Sequence, residues 1–380
     1  MVAVFLKSIK EPMRKREPIK IMKPVVHFPL KSIAGVFLIF VFFLQTAIAQ
    51  NQRVFEELAT HPFASKQPTE IGRTLATLEV WRQKIYIGYG DYDKNTGPIP
   101  LLAYDPQSNR FTDTLILADT EALYNFRSLG NALYGAAIDP KGLVSNRAYV
   151  RGSYETATRE HWSNPPLNGV AAVHIFDIVT LNGSDLWLIG AAEKNATCWR
   201  STNQGANWSI AHSESPSAAG YFARYNFAAV YNGKLYVQAR EHNGAAVSVH
   251  KKSKVFDGVS WSDGADLLAN TAAGGWRPQT FRGKLIYKSS EPPRAGFLII
   301  FDGVTSSKLA YKTTIFDFAI HEDTIYVLSR DGKIRASNDL QTWQDIATAP
   351  LTARSLTILN HFLYVGTADA KLYRCALKDS

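Results

Sequence analysis

Cysteine is nearly missing. Cys198 and Cys375 are the only two in 380 residues, too few for a disulfide scaffold or a four-cysteine zinc site. Helical periodicity is lacking too: almost no segment repeats apolar residues at i, i+3, i+4 and i+7, which removes bundles and helical solenoids. No His-Glu-x-x-His, Gly-x-Ser-x-Gly, phosphate-loop or dinucleotide fingerprint occurs, and the histidines are scattered. No cofactor and no metal is therefore expected, with an ion on a channel axis left open. Excess charge also disappears once the first 49 residues are set aside. The formal net charge of +9 includes eight Lys and Arg in that leader against only Glu11 and Glu17, so the rest carries 34 basic and 31 acidic residues, about +3. Nucleic-acid binding loses its main support with that correction.

The leader itself has a basic stretch ending at Lys31, an apolar run from Ile33 to Leu44, and Ala47-Ile48-Ala49 before Gln50. This is the pattern of a signal peptide, residues 1–49, cleaved after Ala49, with Met22 as an alternative start. The run is short of the roughly 20 apolar residues that span a bilayer, so no stable membrane anchor is expected, and the mature chain is expected to be secreted or periplasmic. A composition of 46% hydrophobic and 20% charged residues describes an ordinary globular domain over 50–380.

What is present is repetition. An aliphatic-aromatic-aliphatic strand recurs seven times, centred on Ile85-Tyr86-Ile87, Leu133-Tyr134-Gly135, Leu186-Trp187-Leu188, Leu235-Tyr236-Val237, Leu285-Ile286-Tyr287, Ile325-Tyr326-Val327 and Leu363-Tyr364-Val365. The spacings of 48, 53, 49, 50, 40 and 38 residues suit one four-stranded propeller blade each. Asn232-Gly233, Asn182-Gly183 and the weaker Arg282-Gly283 precede these strands and predict tight hairpins, with an inner strand before each turn. The fold class is therefore all-β, a seven-bladed β-propeller of four-stranded blades. The seventh unit ends one strand short, and Arg53–Leu58 stands alone near the start of the mature chain, so this N-terminal strand is expected to close the last blade. Cys198 and Cys375 fall on non-adjacent blades and are expected to be buried free thiols.

Outer strands end in a further signature. Ser201-Thr202-Asn203-Gln204-Gly205-Ala206-Asn207-Trp208 resembles the Asp-box, or BNR, repeat, and Ser337-Asn338-Asp339-Leu340-Gln341-Thr342-Trp343 is a shortened copy. The resemblance implies a secreted β-propeller of the sialidase-like, BNR-like superfamily, and it implies no reaction. The arginines and acids a sialidase would need are not matched: Phe126-Arg127-Ser128 is the nearest string to its Arg-Ile-Pro motif.

Function should lie where inner strands begin and where second strands give way to third strands, because these points share one funnel face. The inner strands open on Asn125 and Arg127, His174, Arg224 and Tyr225, Trp276 and Arg277, Asp317, and Arg354, a polar and cationic set. The matching loops carry Gly90-Asp91-Tyr92-Asp93, Arg240-Glu241-His242-Asn243 and Ser290-Glu291-Pro292-Pro293-Arg294, with Arg159-Glu160-His161-Trp162 joining blades two and three. Short loops in blades six and seven leave one side of the mouth low. If Asn232-Gly233 is a two-residue turn, Tyr225 pairs with Arg240. Asn125, Arg224, Trp276, Arg277 and Arg354 are then candidate ligand-binding residues.

His174, Tyr225 and Arg240 on neighbouring blades supply a base, an acid and a guanidinium, the set needed for β-elimination of a uronate. By residue type and blade order this set is similar to that of propeller-type polysaccharide lyases, the ulvan lyases, which implies those three as catalytic residues. A packing role is open to each of them as well. Two readings result: a monomeric, non-catalytic propeller that binds an anionic glycan or protein ligand at its funnel face, or a lyase acting on an acidic polysaccharide.

Overall fold

The structure, a computed structural model, describes residues 53–139, 147–156, 159–244, 246–249, 252–268 and 275–377. The leader and Met22 lie outside them. Among the described residues helix is confined to Ala64–Lys66 and Glu70–Arg73. The strands form a ring of seven four-stranded antiparallel blades, the fold expected from the repeats; blade 4 carries an extra strand, Ala246–Val249, on Arg240–Asn243, and Ile99–Leu101 pairs with Ile116–Ala118 as a separate ribbon.

Inner strands are Thr77–Trp81, Leu123–Leu129, His174–Val179, Phe222–Tyr231, Trp276–Phe281, Ile315–His321 and Ala353–Leu359, for blades 1 to 7 in order. Six of the seven carry a β-bulge early in their pairing with the second strand. A bulge leaves one residue outside the ladder and its carbonyl without a strand partner. The preceding blade supplies that partner: Thr77 Oγ1 donates to Tyr124 O at 2.6 Å, Asn125 Nδ2 to Phe176 O at 3.2 Å and Lys288 Nζ to Phe316 O at 2.7 Å. Polar residues on the inner and second strands thus fasten blade to blade.

The hairpins answer to their turn residues. Asn232 and Gly233 both take positive φ, as do Arg282 and Gly283, giving two-residue connections. Asn182-Gly183 does not: Val179 and Leu186 bound a longer loop in which Asn182 Oδ1 accepts from the backbone of Ser184 and Asp185. Near the box-like turn, Gly205 is left-handed, Asn203 Oδ1 accepts from Asn207 N at 2.9 Å, and Trp208 packs on Tyr149 of the blade before.

The core is distributed around the ring, with an apolar cluster at each interface between neighbouring blades. Trp187 of blade 3 meets Phe256 of blade 4, and Phe227 of blade 4 meets Tyr287 of blade 5. Such a side chain gains about 1.5–3 kcal/mol on full burial only when its neighbouring blade is in place, so the blades are stable together. Closure follows the expected route with a small shift: Glu56–Thr60 pairs antiparallel with Lys371–Ala376 as the outer strand of blade 7. Cys198 and Cys375 are buried and unpaired.

One expected loop is a strand. Glu160–Ser163 forms the outer edge of blade 2, and Glu160 accepts from Lys84 Nζ at 2.8 Å, Tyr86 Oη at 2.7 Å and Trp162 Nε1 at 2.6 Å. That segment braces blade 2 to blade 1.

Candidate functional site

Blade 4 makes the feature that stands out at the mouth. Its first two strands run ten residues each, Phe222–Tyr231 and Lys234–Asn243, longer than those of blades 5 to 7, and so project beyond the ring's body. From the turn outward the pairing follows the two-residue register as far as Phe227 opposite Gln238. A bulge at Asn226 then shifts it, setting Tyr225 opposite Ala239 and Arg224 opposite Arg240. The expected pairing of Tyr225 with Arg240 is corrected by that one extra residue. Tyr225 is turned into the protein: its phenol is fully buried, 2.8 Å from Glu214 Oε2 and 2.8 Å from His212 Nδ1. It is a packing and hydrogen-bonding residue between blades 3 and 4, away from the mouth.

The bulge instead places two guanidiniums side by side. Like charges directly opposite in a ladder are destabilising, and neither Arg224 nor Arg240 forms an ion pair with any described residue. The Nε atoms of both are buried and without a hydrogen-bond partner. Burial followed by the Arg240 charge lowers the Arg224 pKa to about 10, and burial lowers that of Arg240. The Arg224 guanidinium lies over the Phe222 ring at 4.7 Å, and Phe222 stacks on His242 with centroids 5.4 Å apart. Arg240 Nη2 is 3.5 Å from His242 Nε2.

Two histidines complete the cluster. Burial, then Arg240 and Arg224, push His242 down to about 4; burial, then Arg224 and His242, push His174 down to about 3. Both imidazoles are neutral at pH 7. His174 opens the blade 3 inner strand as expected, and its Nδ1 contacts the Asp139 carboxylate of blade 2. Loops from across the ring join in. Glu291 and Arg294 of blade 5, an ion pair at 3.5 Å, act electrostatically on Arg240 and also on Tyr92 of blade 1. Burial, then Glu291, raises Tyr92 to about 12, with Arg294 beside its side chain acting in the opposite direction.

The remaining candidates are placed differently. Asn125 is buried and spent on Phe176 O, and Trp276 is buried in the interface core, so both act in packing rather than at an open surface. Arg277 points into the axis and donates to Asp317 Oδ2 at 2.6 Å; its own backbone is left-handed, φ 53°, within the blade 5 bulge. Arg354 lies over Phe316 at 4.4 Å and donates to the carbonyls of Leu351 and Ala353. A cavity of about 330 Å³ on the axis holds Glu79, Arg127, Arg277 and Gln279. Arg127 there pairs with Asp177 through two bonds of 3.0 and 2.7 Å. The four arginines expected together are thus two, Arg224 and Arg240. Sequence reasoning had assigned no role to His242, Asp139 or Tyr92. His242 could have been found from its place two residues beyond Arg240, on the same face of one strand.

No family model and no curated protein matches the chain. Solved structures share the fold. Virginiamycin B lyase from Staphylococcus aureus aligns with a TM-score of 0.53 at 11% identity, over 86% of this chain and 99% of that one. A catalytically inactive histidine-to-alanine variant of the same enzyme, with quinupristin, aligns at 0.54 and 9% identity over the same shares. YCF48 from Cyanidioschyzon merolae aligns at 0.52 and 12% identity over 86% and 99%. YCF48 bound to D1 peptide aligns at 0.51 and 12% over 86% and 97%. At these identities the likeness defines a class by fold alone, the seven-bladed β-propeller.

Proposed function

We propose that this chain is a secreted or periplasmic propeller, of the BNR-like kind its box-like turns resemble, that binds an anionic group of a glycan or protein ligand at its funnel mouth. One observation carries the reading: Arg224 and Arg240 are held side by side, partly dehydrated, and neither forms an ion pair with a carboxylate among the described residues. An apolar pair would be more stable at those positions, so the charges are retained at a cost that a bound anion offsets. A guanidinium fork matches oxyanion geometry, and in a half-dry site each charge-assisted bond contributes about 1.5–3 kcal/mol. The fold's relatives in shape include one with a peptide and one with a small-molecule ligand, which supports ligand binding as the class of activity.

The test is titration with anionic and neutral glycan fragments and acidic peptides at two ionic strengths. Anionic ligands should bind more weakly as salt rises and neutral sugars should not. Arg240→Ala or Arg224→Ala should weaken the anion's affinity about tenfold or more, tenfold being about 1.4 kcal/mol. Affinity indifferent to both substitutions would remove the proposal.

The lyase reading keeps one favourable observation: His174 is neutral, lies against Asp139 and stands in the field of Arg224, as a general base could. It needs an acid other than Tyr225, and Tyr92, a phenol at the mouth next to Arg294, is the candidate. In that reaction His174 takes the C5 proton, the electron pair forms the C4–C5 double bond, and the leaving oxygen takes a proton from the acid. Ultraviolet absorbance of an unsaturated uronate, on incubation with uronate polysaccharides, decides for or against it.

A further inference from the structure

Beyond the mouth, we infer that the axial cavity is a second binding site, towards the other end of the ring, for a neutral polyhydroxylated molecule of monosaccharide size. The inference begins at one level of the repeat. In each blade a single inner-strand residue pairs with the middle residue of the recurring aliphatic-aromatic-aliphatic strand. Blades 3, 4 and 6 carry Val179, Ala229 and Ala319 at that level. Blades 1, 2, 5 and 7 carry Glu79, Arg127, Gln279 and Thr357 instead, and all four of these line the cavity of about 330 Å³. Val and Ala serve at the same level of three blades, so the fold does not demand polar residues there, and burying them has a cost that packing alone does not offset. The cavity lies towards the hairpin turns, away from the mouth, and all seven inner strands and their turns are among the described residues.

What these polar groups touch sets the class of ligand. Arg127 is held by Asp177 through two bonds, and its Nη1 reaches across the axis to Pro278 O at 3.4 Å, on the mouth side of Gln279. Arg277 donates to Asp317. Both guanidiniums therefore already have carboxylates, and an anion gains little from them. Glu79 forms no hydrogen bond or ion pair with a described residue, yet it stands in the fields of Arg277 and Arg127, which oppose a cation beside it. The side chains of Ser128, Gln279 and Thr357 likewise have no hydrogen-bond partner among the described residues. A carboxylate that only accepts, with an amide and two hydroxyls that both donate and accept, is matched by a ligand whose own hydroxyls do both. Phe126, Ile320 and Ile358 give its C–H faces apolar walls. The volume falls at the lower end of small-ligand sites, roughly 300–1,000 Å³.

The experiment compares glucose, galactose and mannose with glucuronate, ethanolamine and leucine, which carry an anion, a cation and both, by ligand-observed NMR on the mature protein. At least one sugar should bind with a Kd of about 10 mM or tighter, about tenfold more tightly than each charged compound, and added salt should leave its affinity unchanged. Glu79→Gln keeps the shape and removes the strongest acceptor, and Ala319→Leu fills the cavity from an apolar position. Each should weaken that sugar about tenfold or more, while Arg240→Ala at the mouth should leave it within about twofold. If Ala319→Leu fails to fold, Glu79→Gln decides alone. No sugar binding, or a bound sugar indifferent to Glu79→Gln, overturns the inference. Loss of the sugar in Arg240→Ala would assign it to the mouth, which removes the axial site and leaves the mouth reading standing. Leucine or ethanolamine bound through Glu79 in preference to the sugars would overturn the neutral class.

Discussion

At the scale of single residues, the polar side chains of the inner strands divide into two kinds by what they touch. Asn125 is spent on the carbonyl that the blade 3 bulge sets free, so Asn125→Ala should lower stability by about 1–3 kcal/mol in a denaturant melt, while ligand affinity stays within about twofold of the parent. A large affinity loss without destabilisation would return Asn125 to the binding site. His61 belongs with the structural kind. It is fully buried, its Nδ1 accepts from Ala64 N at 3.0 Å, and burial pushes its pKa down to about 3. The folded state thus refuses a proton that the unfolded state accepts below about 6.5. Stability is level above that pH and falls as pH drops from about 6.5 towards 3, by up to about 1.4 kcal/mol per unit from this group. His61→Asn keeps an acceptor but does not titrate there, so urea melts at pH 7 and 4.5 should show a smaller acid loss than in the parent; equal slopes would rule the histidine out as a source.

At the scale of elements, close approach of backbones sets the mouth. A Cβ on Gly190 would stand 1.8 Å from His174 O, with backbone rather than a flexible side chain in the way. Gly190→Ala must therefore push the blade 3 inner strand aside just where His174 begins it. We expect a loss of several kcal/mol in stability and a weakened mouth, read as a lower melting temperature together with poorer anion affinity. An unchanged melting temperature would show that the two strands have more freedom than their pairing implies. The same reasoning applies to closure. Glu56–Thr60 covers an otherwise open edge of blade 7, with Glu57 accepting from Lys371 and Tyr373. A chain starting at residue 61 should melt markedly lower than one starting at 50, and identical melts would deny that strand its closing role.

At the scale of the whole molecule, stability is shared around a ring, since each interface cluster is built by two blades. Cys198 and Cys375 report on it from blades 3 and 7. Both thiols should be unreactive in the native protein and should titrate together, two per chain without reductant, in denaturant. Reaction of one well before the other would mean that the ring opens blade by blade.

The amino-acid sequence by itself determined the ring. Seven aliphatic-aromatic strands, turn residues that tolerate positive φ, and an orphan strand near the start are local signals, and each reads through at its own position. It also marked the loops that meet over the mouth, because Tyr92, His242, Glu291 and Arg294 all lie in segments picked out by their place after a second strand. What only the tertiary structure decided was which polar residues are free. A bulge is one residue of extra backbone, chosen by packing against the neighbouring blade, and it moved Arg240 from Tyr225 to Arg224. Partnership works the same way: Arg277 met Asp317 and Asn125 met Phe176 O because adjacent blades bring distant residues within hydrogen-bond reach, whereas Arg224 and Arg240 came to lie side by side and form no ion pair with a described residue. Residue type is local, but whether a charge is neutralised depends on everything that surrounds it once water has been excluded.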